Sequence, residues 1–209
     1  MTDPLEMILW ENVAYLADDE RRAAAWETFR KRVGTRPEEI LAAPRSELIA
    51  VARAGILAAD RVEKIREIAA IALHELGGDL NGALDRAPRA AKKILKKFPS
   101  IGDPGAEKIL LFSRRQPVLA LDSNGLRVLL RLGYGKEEKS YSTSYRSAQE
   151  ATRPEWNKDY DWLIRAHQIL RRHGQELCKH NHPLCEPCPL KKSCAYFRGF
   201  RAYDANRSR

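Results

Sequence analysis

The placement of the cysteines constrains this chain more than any other feature. Of 209 residues only four are cysteine, and all lie between Cys178 and Cys194, separated by six, two and five residues. A disulfide framework would instead join distant segments. Four thiols this close predict one metal site. A structural zinc knot is one reading, since Cys-x2-Cys suits tetrahedral zinc; the single such pair and the 6-2-5 spacing favour an iron–sulfur cluster.

The charge balance points to a polyanionic partner. Lys and Arg number 37 against 28 Asp and Glu, which gives a net charge of +9. The simplest polyanion for such a protein is nucleic acid. No apolar run approaches the roughly 20 residues of a membrane span, and the N-terminus lacks the basic and apolar regions of a secretory signal. We therefore expect a cytoplasmic protein, nucleoid-associated in a prokaryote, that does not bind membranes.

The hydrophobic pattern predicts an all-α protein. Apolar residues recur at helical spacing in most of the chain, and no convincing set of strands is present. Gly55, Gly77 and Gly133 end predicted helices, and residues 134–160 are polar and are predicted to be partly irregular. The sequence thus predicts about ten helices. One of them, in residues 86–97, carries six basic residues and no acidic one.

Two segments between helices have the composition of functional turns. Residues 98–106, Phe-Pro-Ser-Ile-Gly-Asp-Pro-Gly-Ala, predict a glycine-containing hairpin whose small residues let the backbone approach a DNA phosphate. Asp103 can cap the following helix, and Pro104 suits its first position. Farther on, Pro117 to Leu121 lead into Asp122. Considered by itself, Asp122 is interpreted as a helix N-cap rather than a catalytic residue.

Taken in order, the three motifs resemble the endonuclease III superfamily of DNA glycosylases, over roughly residues 5–194. The cysteine loop is similar to the superfamily's [4Fe–4S] loop. Residues 98–106 are similar to its helix-hairpin-helix, usually Leu-Pro-Gly-Val-Gly-x-x-Thr-Ala. Residues 117–128 are similar to its Gly/Pro-rich loop, which ends in the catalytic aspartate.

The resemblance implies a fold, a partner and cofactors. The fold would have two helical lobes: a six-helix barrel in residues 7–116, with the helix-hairpin-helix at about 92–112, and an iron–sulfur cluster lobe in residues 1–6 and 117–209, with the cluster loop at 178–194. The protein would act as a monomer on double-stranded DNA, flipping a damaged or mismatched base out of the stack. A monovalent cation at the hairpin is a further candidate cofactor. The cluster ligands would be Cys178, Cys185, Cys188 and Cys194.

The resemblance also assigns catalytic roles. Asp122 would stabilise the cationic sugar and position the nucleophile. Bifunctional members carry a lysine where this chain has Pro104, which cannot form a Schiff base. The nearest lysine, Lys108, reads as a surface residue. We therefore expect base removal without lyase activity. The Asp122 to Asn124 segment resembles the Asp-x-Asn of adenine and thymine mismatch glycosylases.

Substrate contacts are expected near the N-terminus and the hairpin. Glu6 falls near a pocket glutamate that protonates the base in adenine glycosylases; the other reading is a solvated terminal residue. Asn12 falls where the superfamily places an inserting Gln, and Ile56 matches its apolar wedge or else packs in the core. Glu11 is unexpected, because DNA repels a carboxylate. The predicted DNA-binding residues are Gly102, Gly105, Ile101, Asn12, Ile56, Asn124, Lys96, Lys97 and Lys179.

Two other functions stay open at this point. One is a catalytically weak relative that binds DNA lesions without efficient excision. The other is a zinc-bearing DNA-binding module. The excised base is also open, among thymine or uracil opposite guanine, an alkylated purine, an oxidised pyrimidine and adenine.

Overall fold

The computed structural model describes residues 1–199, and in that range every regular element is helical. This confirms the predicted all-α fold. The chain divides into two compact units, Met1–Gln116 and Pro117–Arg209. Among the described residues no helix is long and apolar enough to cross a membrane.

The first unit contains eight α-helices whose starts follow simple capping rules. Asp3, Asp18 and Asp79 each accept a hydrogen bond from a backbone N–H in the first turn of the helix that follows, at 2.8–2.9 Å. The helices are α1 Pro4–Val13, α2 Asp19–Arg32, α3 Pro37–Ala42, α4 Arg45–Ala52, α5 Ala58–Ala70 with a π-helical turn Ile71–Glu75, α6 Leu80–Leu84, α7 Pro88–Leu95 and α8 Asp103–Phe112.

Helix α5 lies at the centre of this unit and packs against α1, α3 and α4. Its buried face presents Val62, Ile65 and Ile68, spaced at one helical turn as the sequence predicts. Helix α1 also contacts α2, α6 and α8. Because of these contacts residues 1–6 group with the first unit, whereas the sequence analysis had assigned them to the cluster lobe.

The second unit contains α9 Ser123–Leu132, α10 Tyr141–Thr152, a 3-10 turn Arg153–Glu155 and α11 Tyr160–Glu176, followed by the cysteine loop. Helix α9 packs along α11 at a close crossing. A Cβ on Gly174 would lie 2.8 Å from Cβ of Asn124, so that crossing requires a glycine on α11. This close contact fixes the start of α9 against α11.

Helix α10 occupies the middle of residues 134–160, and the segment is irregular on either side of it, as predicted. The helix begins where the Ser140 side chain accepts from the N–H of Thr143 at 3.2 Å. Its buried face consists of Ser144, Tyr145, Ala148 and Gln149, which are mostly polar or small. The apolar periodicity is therefore weak, although the helix is well packed on α9.

Candidate functional site

Asp122 lies at the start of α9 and uses its two carboxylate oxygens differently. Oδ1 accepts from the N–H of Gly125 at 2.7 Å, which caps the helix. Oδ2 lies 3.2 Å from Nδ2 of Asn124 and 3.5 Å from Nε of Arg171 on α11. The side chain is 26% exposed, so solvent reaches it. Capping and catalysis are thus compatible, because the cap occupies one oxygen only.

The loop before Asp122 is fixed by buried polar side chains of α10. The N–H of Leu121 donates to the hydroxyl of Tyr145 at 3.3 Å. Nε2 of Gln149 donates to the carbonyl of Leu119 at 2.9 Å. Both side chains are buried. The position of Asp122 is therefore set by hydrogen bonds on one side and the close α9–α11 crossing on the other.

Tyr141 adds a hydroxyl near this carboxylate. Its ring stacks on Tyr145, with ring centroids 6.2 Å apart. Burial of the hydroxyl and the negative charge of Asp122 raise the pKa of Tyr141 to about 12. The hydroxyl therefore keeps its proton at neutral pH and can donate a hydrogen bond.

A hydrogen-bonded chain links Asp122 to the first cysteine. Oδ1 of Asn124 accepts from Nη2 of Arg127 at 2.9 Å, and Nε of Arg127 donates to the carbonyl of Cys178 at 2.9 Å. Nη2 also donates to the carbonyl of Gly174 at 2.8 Å. Burial and the nearby charge of Arg131 lower the pKa of Arg127. The Asn124 amide, predicted to contact DNA, here bridges Asp122 and Arg127.

All four cysteines line one small pocket, together with Arg131 of α9 and His173 of α11. Burial and the charges of the other three thiols raise the pKa of Cys185, as expected for sulfurs gathered around one space. Arg131 holds the loop from α9, since its guanidinium donates to the carbonyls of Lys179 and His180 at 2.7 and 2.8 Å. Nη1 of Arg131 also lies 3.4 Å from Sγ of Cys178.

The donor set of this site, four cysteine thiols on one loop, suits an iron–sulfur cluster. Within residues 1–199, no three His, Cys, Asp or Glu side chains converge as ligands of a single metal ion do. The cysteines instead surround a cavity, and neither His180 nor His182 lines it. Four thiolates around such a space are the donor set of a [4Fe–4S] cluster.

The hairpin in the first unit joins α7 to α8 as predicted. Phe98 and Ile101 are buried and anchor the turn, so the side chain of Ile101 faces the core. Ser100 has φ of +68°, a left-handed conformation that glycine adopts more readily. Gly102 caps α8, and Gly105 follows in the first turn, where the N–H groups have no intrahelical acceptor. Such groups can bind a phosphate.

The lysines before the hairpin are engaged with acids of the same unit. Lys96 lies 3.0 Å from Asp103, and Lys97 lies 2.7 Å from Glu75. The hydrogen bond from Lys96 lowers the pKa of Asp103. The basic run is thus partly neutralised in the free protein. In the second unit the side chain of Lys179 is exposed.

Asn12 does not lie on the surface. It is fully buried, Nδ2 donates to the carbonyl of Ile8 at 3.0 Å, and Oδ1 accepts from the hydroxyl of Ser100 at 3.1 Å. This burial contradicts the prediction that Asn12 inserts into DNA. Ile56, in contrast, is half exposed, which contradicts its core-packing alternative.

The two acids of α1 lie at opposite ends of the helix. Glu6, in the first turn, lines an outer groove with Thr35 and Asn81. Glu11, near the last turn, forms an ion pair with Lys108 of α8, and both side chains are about one-quarter exposed. The carboxylate that α1 brings to the hairpin helix is therefore Glu11. Lys108 is a half-buried, paired residue, and it lies one turn beyond Pro104.

Comparison with known proteins agrees with this geometry. No family model matches the chain. Endonuclease III of Thermotoga maritima is 26% identical over 197 residues, 94% of this chain and 85% of the relative. A solved trapped endonuclease III–DNA covalent intermediate superposes with a TM-score of 0.76 at 20% identity, covering 96% of this chain and 87% of the other. A thermostable thymine-DNA glycosylase gives 0.75 at 19% identity, covering 95% and 86%.

The chain is thus similar in sequence and in fold to endonuclease III and to thymine-DNA glycosylase. This confirms the resemblance drawn from the hairpin, Asp122 and the cysteine loop. The sequence analysis assigned no role to three residues that lie near Asp122 or Asn124 in the structure: Arg127, Tyr141 and Arg171. Of the three, only Arg127 could have been paired with the site from the sequence, because it lies one helical turn beyond Asn124. Arg171 is separated from Asp122 by 49 positions, and nothing in the local sequence pairs them.

Proposed function

We propose that this protein is a monofunctional DNA glycosylase of base excision repair, which removes a damaged or mismatched base and leaves an intact abasic site. The observation that carries the proposal is Asp122, a solvent-reachable carboxylate with one oxygen in a helix cap, in a member of the endonuclease III superfamily. We further propose that it acts as a cytoplasmic monomer.

The chemistry needs a fixed negative charge. As the bond between sugar and base breaks, positive charge develops on the sugar, and a preorganised carboxylate stabilises it without reorganisation. Asp122 has this property because the Gly125 N–H and the Arg171 guanidinium hold its two oxygens. Water then adds to the sugar, oriented by the same carboxylate.

The residue at position 104 determines whether the DNA strand is cut after the base is removed. β-Elimination in this superfamily proceeds through an imine, which requires a primary amine at the sugar. Pro104 has none. Lys108, one turn farther along α8, is held by Glu11. The expected product is therefore an unbroken strand with an abasic site.

Glu11 is a better candidate than Glu6 for an acid that contacts the base. It lies on the part of α1 that meets the hairpin helix, and its charge is balanced by Lys108. That pairing also accounts for a carboxylate in a DNA-binding protein, since the pair carries no net charge. Glu6 stays a second candidate, and its side chain lines a groove with Thr35 and Asn81.

We propose that Cys178, Cys185, Cys188 and Cys194 hold a [4Fe–4S] cluster. When bound, the cluster cross-links four thiolates and so fixes the loop that Arg127 and Arg131 bind. With the loop fixed, Arg127 orients Asn124 through one hydrogen bond, and Asn124 orients Asp122 through another. A monovalent cation at the hairpin stays a prediction.

One observation favours a second function, lesion binding without efficient excision. The Arg171 guanidinium beside Asp122 offsets part of the negative charge that would face the sugar. If this contact persists on DNA, the chemical step is weakened while lesion binding is retained.

A panel of duplexes, each with one lesion or mismatch, tests the proposal. Under single-turnover conditions we expect excision from at least one substrate, with strand breaks that appear only after alkali. The lesion-binding alternative predicts tight binding to the panel and no alkali-labile sites with any member.

A further inference from the structure

The ion pair between Arg171 and Asp122 is long and open to solvent. Nε of Arg171 lies 3.5 Å from Oδ2 of Asp122, whereas a charge-assisted hydrogen bond measures about 2.7–2.9 Å. The two side chains are 33% and 26% exposed. Partly exposed ion pairs contribute little to stability, because water competes for both charges. A second anion that reaches Arg171 can therefore replace Asp122 at small cost.

The carboxylate of Asp122 is fully engaged while Arg171 is in place. Oδ1 accepts from the N–H of Gly125 at 2.7 Å, and Oδ2 accepts from Nδ2 of Asn124 at 3.2 Å. Arg171 adds a positive charge at the same Oδ2. Since a carboxylate oxygen accepts about two hydrogen bonds, Oδ2 then has no site left for a water molecule or a sugar. Excision therefore requires Asp122 without Arg171.

DNA brings the replacing anion to this place. Every sugar of a DNA strand carries a phosphate on its 5′ and its 3′ side, so a sugar bound at Asp122 brings a phosphate close to the Arg171 side chain. A guanidinium binds phosphate through two parallel hydrogen bonds, which a contact at 3.5 Å does not provide. Arg127 is less suited to this exchange, because three hydrogen bonds at 2.8–2.9 Å already hold its guanidinium.

We propose that Arg171 is a phosphate-contact residue that leaves Asp122 when DNA binds. Its guanidinium pairs with a phosphate that flanks the flipped nucleotide, and Oδ2 of Asp122 becomes available to the sugar and to water. The exchange rests on the proposed glycosylase function and adds a condition to it. Asp122 acquires the uncompensated charge that the chemical step needs only beside an anionic DNA backbone.

Methylphosphonate linkages, which carry no charge, test the phosphate contact. The probe is a duplex with a tetrahydrofuran abasic analogue and one methylphosphonate on its 5′ or its 3′ side. At one of the two sides the wild type should lose about tenfold in affinity, the scale of a hydrogen bond to a charged group. Arg171→Ala should bind the all-phosphate duplex about tenfold more weakly and lose nothing further with the methylphosphonate. Arg171→Lys retains the charge and should retain the sensitivity.

A second variant distinguishes an exchange from a contact that Arg171 makes without leaving Asp122. Asp122→Asn removes the carboxylate that competes for Arg171, so its Kd for the all-phosphate analogue duplex should fall by about threefold. In the Arg171→Ala background the same replacement should leave the Kd unchanged. Simple repulsion between Asp122 and DNA would instead give the same gain in both backgrounds.

The excision rate gives an independent readout on any substrate that the wild type accepts. At saturating protein, the sensitive methylphosphonate should lower the wild-type single-turnover rate by about tenfold, because Arg171 then stays on Asp122. Arg171→Ala should excise from both duplexes at similar rates. Arg172→Ala is the matched control, since Arg172 is the next residue on α11 and pairs with Glu176. It should behave like the wild type in Kd and in rate.

Either of two results would overturn the exchange: a wild-type Kd that neither methylphosphonate changes, or a gain from Asp122→Asn that is equal with and without Arg171. A wild type that excises nothing from any duplex but shows the expected pattern of Kd values would refute the proposed glycosylase function. That pattern would still support the exchange.

Discussion

At the level of single residues, local spacing predicts sites at Asp122 and at the cysteines, and the structure places Asp122 at the start of α9 and the four cysteines around one pocket. The surroundings of Asn12 and Glu11 depend instead on distant parts of the chain. Asn12 is buried and accepts a hydrogen bond from Ser100, 88 positions away. The local run Leu-Trp-Glu-Asn-Val does not reveal which face of α1 Asn12 occupies. Glu11 gained its role from Lys108, 97 positions away.

Replacing Asp122 by Asn separates the cap from the catalytic charge. Asn caps helices as well as Asp, so the variant should fold, but it lacks the charge that faces the developing cation. We expect the single-turnover excision rate to fall by about two to four orders of magnitude, roughly 3–5 kcal/mol. Asp159→Asn is the control, because Asp159 caps α11 in the same way, accepting from the Trp162 N–H at 2.9 Å. A variant that unfolds while its folded fraction retains activity would make Asp122 a structural residue only.

At the level of secondary-structure elements, the helices that carry apolar periodicity were predicted well, and α10 was not. Its buried face is polar because it holds the loop before Asp122, through Tyr145 and Gln149. The same cause explains why the functional role of the element was missed: its contacts are hydrogen bonds to backbone carbonyl and amide groups, which leave no pattern of hydrophobicity.

The Arg127 link between α9 and the cysteine loop predicts a measurable effect. Arg127→Ala should lower the excision rate by about 10- to 100-fold, as expected when an orienting partner is lost, with little change in Kd for an abasic analogue. Arg172→Ala is the matched control, since Arg172 is an exposed cation on α11 paired with Glu176. Equal excision rates for Arg127→Ala and the wild type would show that Asn124 and Asp122 keep their positions without this link.

The hairpin carries an ion pair that competes with DNA. Asp103 pairs with Lys96 at 3.0 Å, and Asp103→Asn should release Lys96 for a phosphate. We expect tighter DNA binding and a log–log salt slope steeper by about 0.9.

Because Lys96 lowers the pKa of Asp103, the pair stabilises the fold above the normal pKa of an aspartate and loses that effect as pH falls. Both side chains are nearly half exposed, so the loss in stability should stay below about 1 kcal/mol. An unchanged salt slope would contradict the competition.

At the level of the whole molecule, the all-α class followed from the hydrophobic periodicity, and the resemblance to the endonuclease III superfamily followed from the order of three motifs. Residues 1–6 group with the first unit because α1 packs on α5 and α8. No local pattern in the sequence predicts these contacts.

The iron content of the purified protein tests whether the four cysteines hold a [4Fe–4S] cluster. As purified without oxygen, the chain should contain about four iron atoms and absorb broadly near 400 nm. Replacing Cys185 by Ser should abolish this absorption and loosen the loop. Stoichiometric zinc without iron would establish the zinc alternative.

The central claim, a glycosylase without lyase activity, is tested most directly by borohydride trapping during turnover on an excised substrate. The wild-type protein should yield alkali-labile abasic sites and no covalent protein–DNA adduct, because Pro104 cannot form an imine. Pro104→Lys provides the positive control, since a lysine placed there should give a trapped adduct. Efficient trapping by the wild-type protein would contradict the account and would point to Lys108, released from Glu11, as the nucleophile.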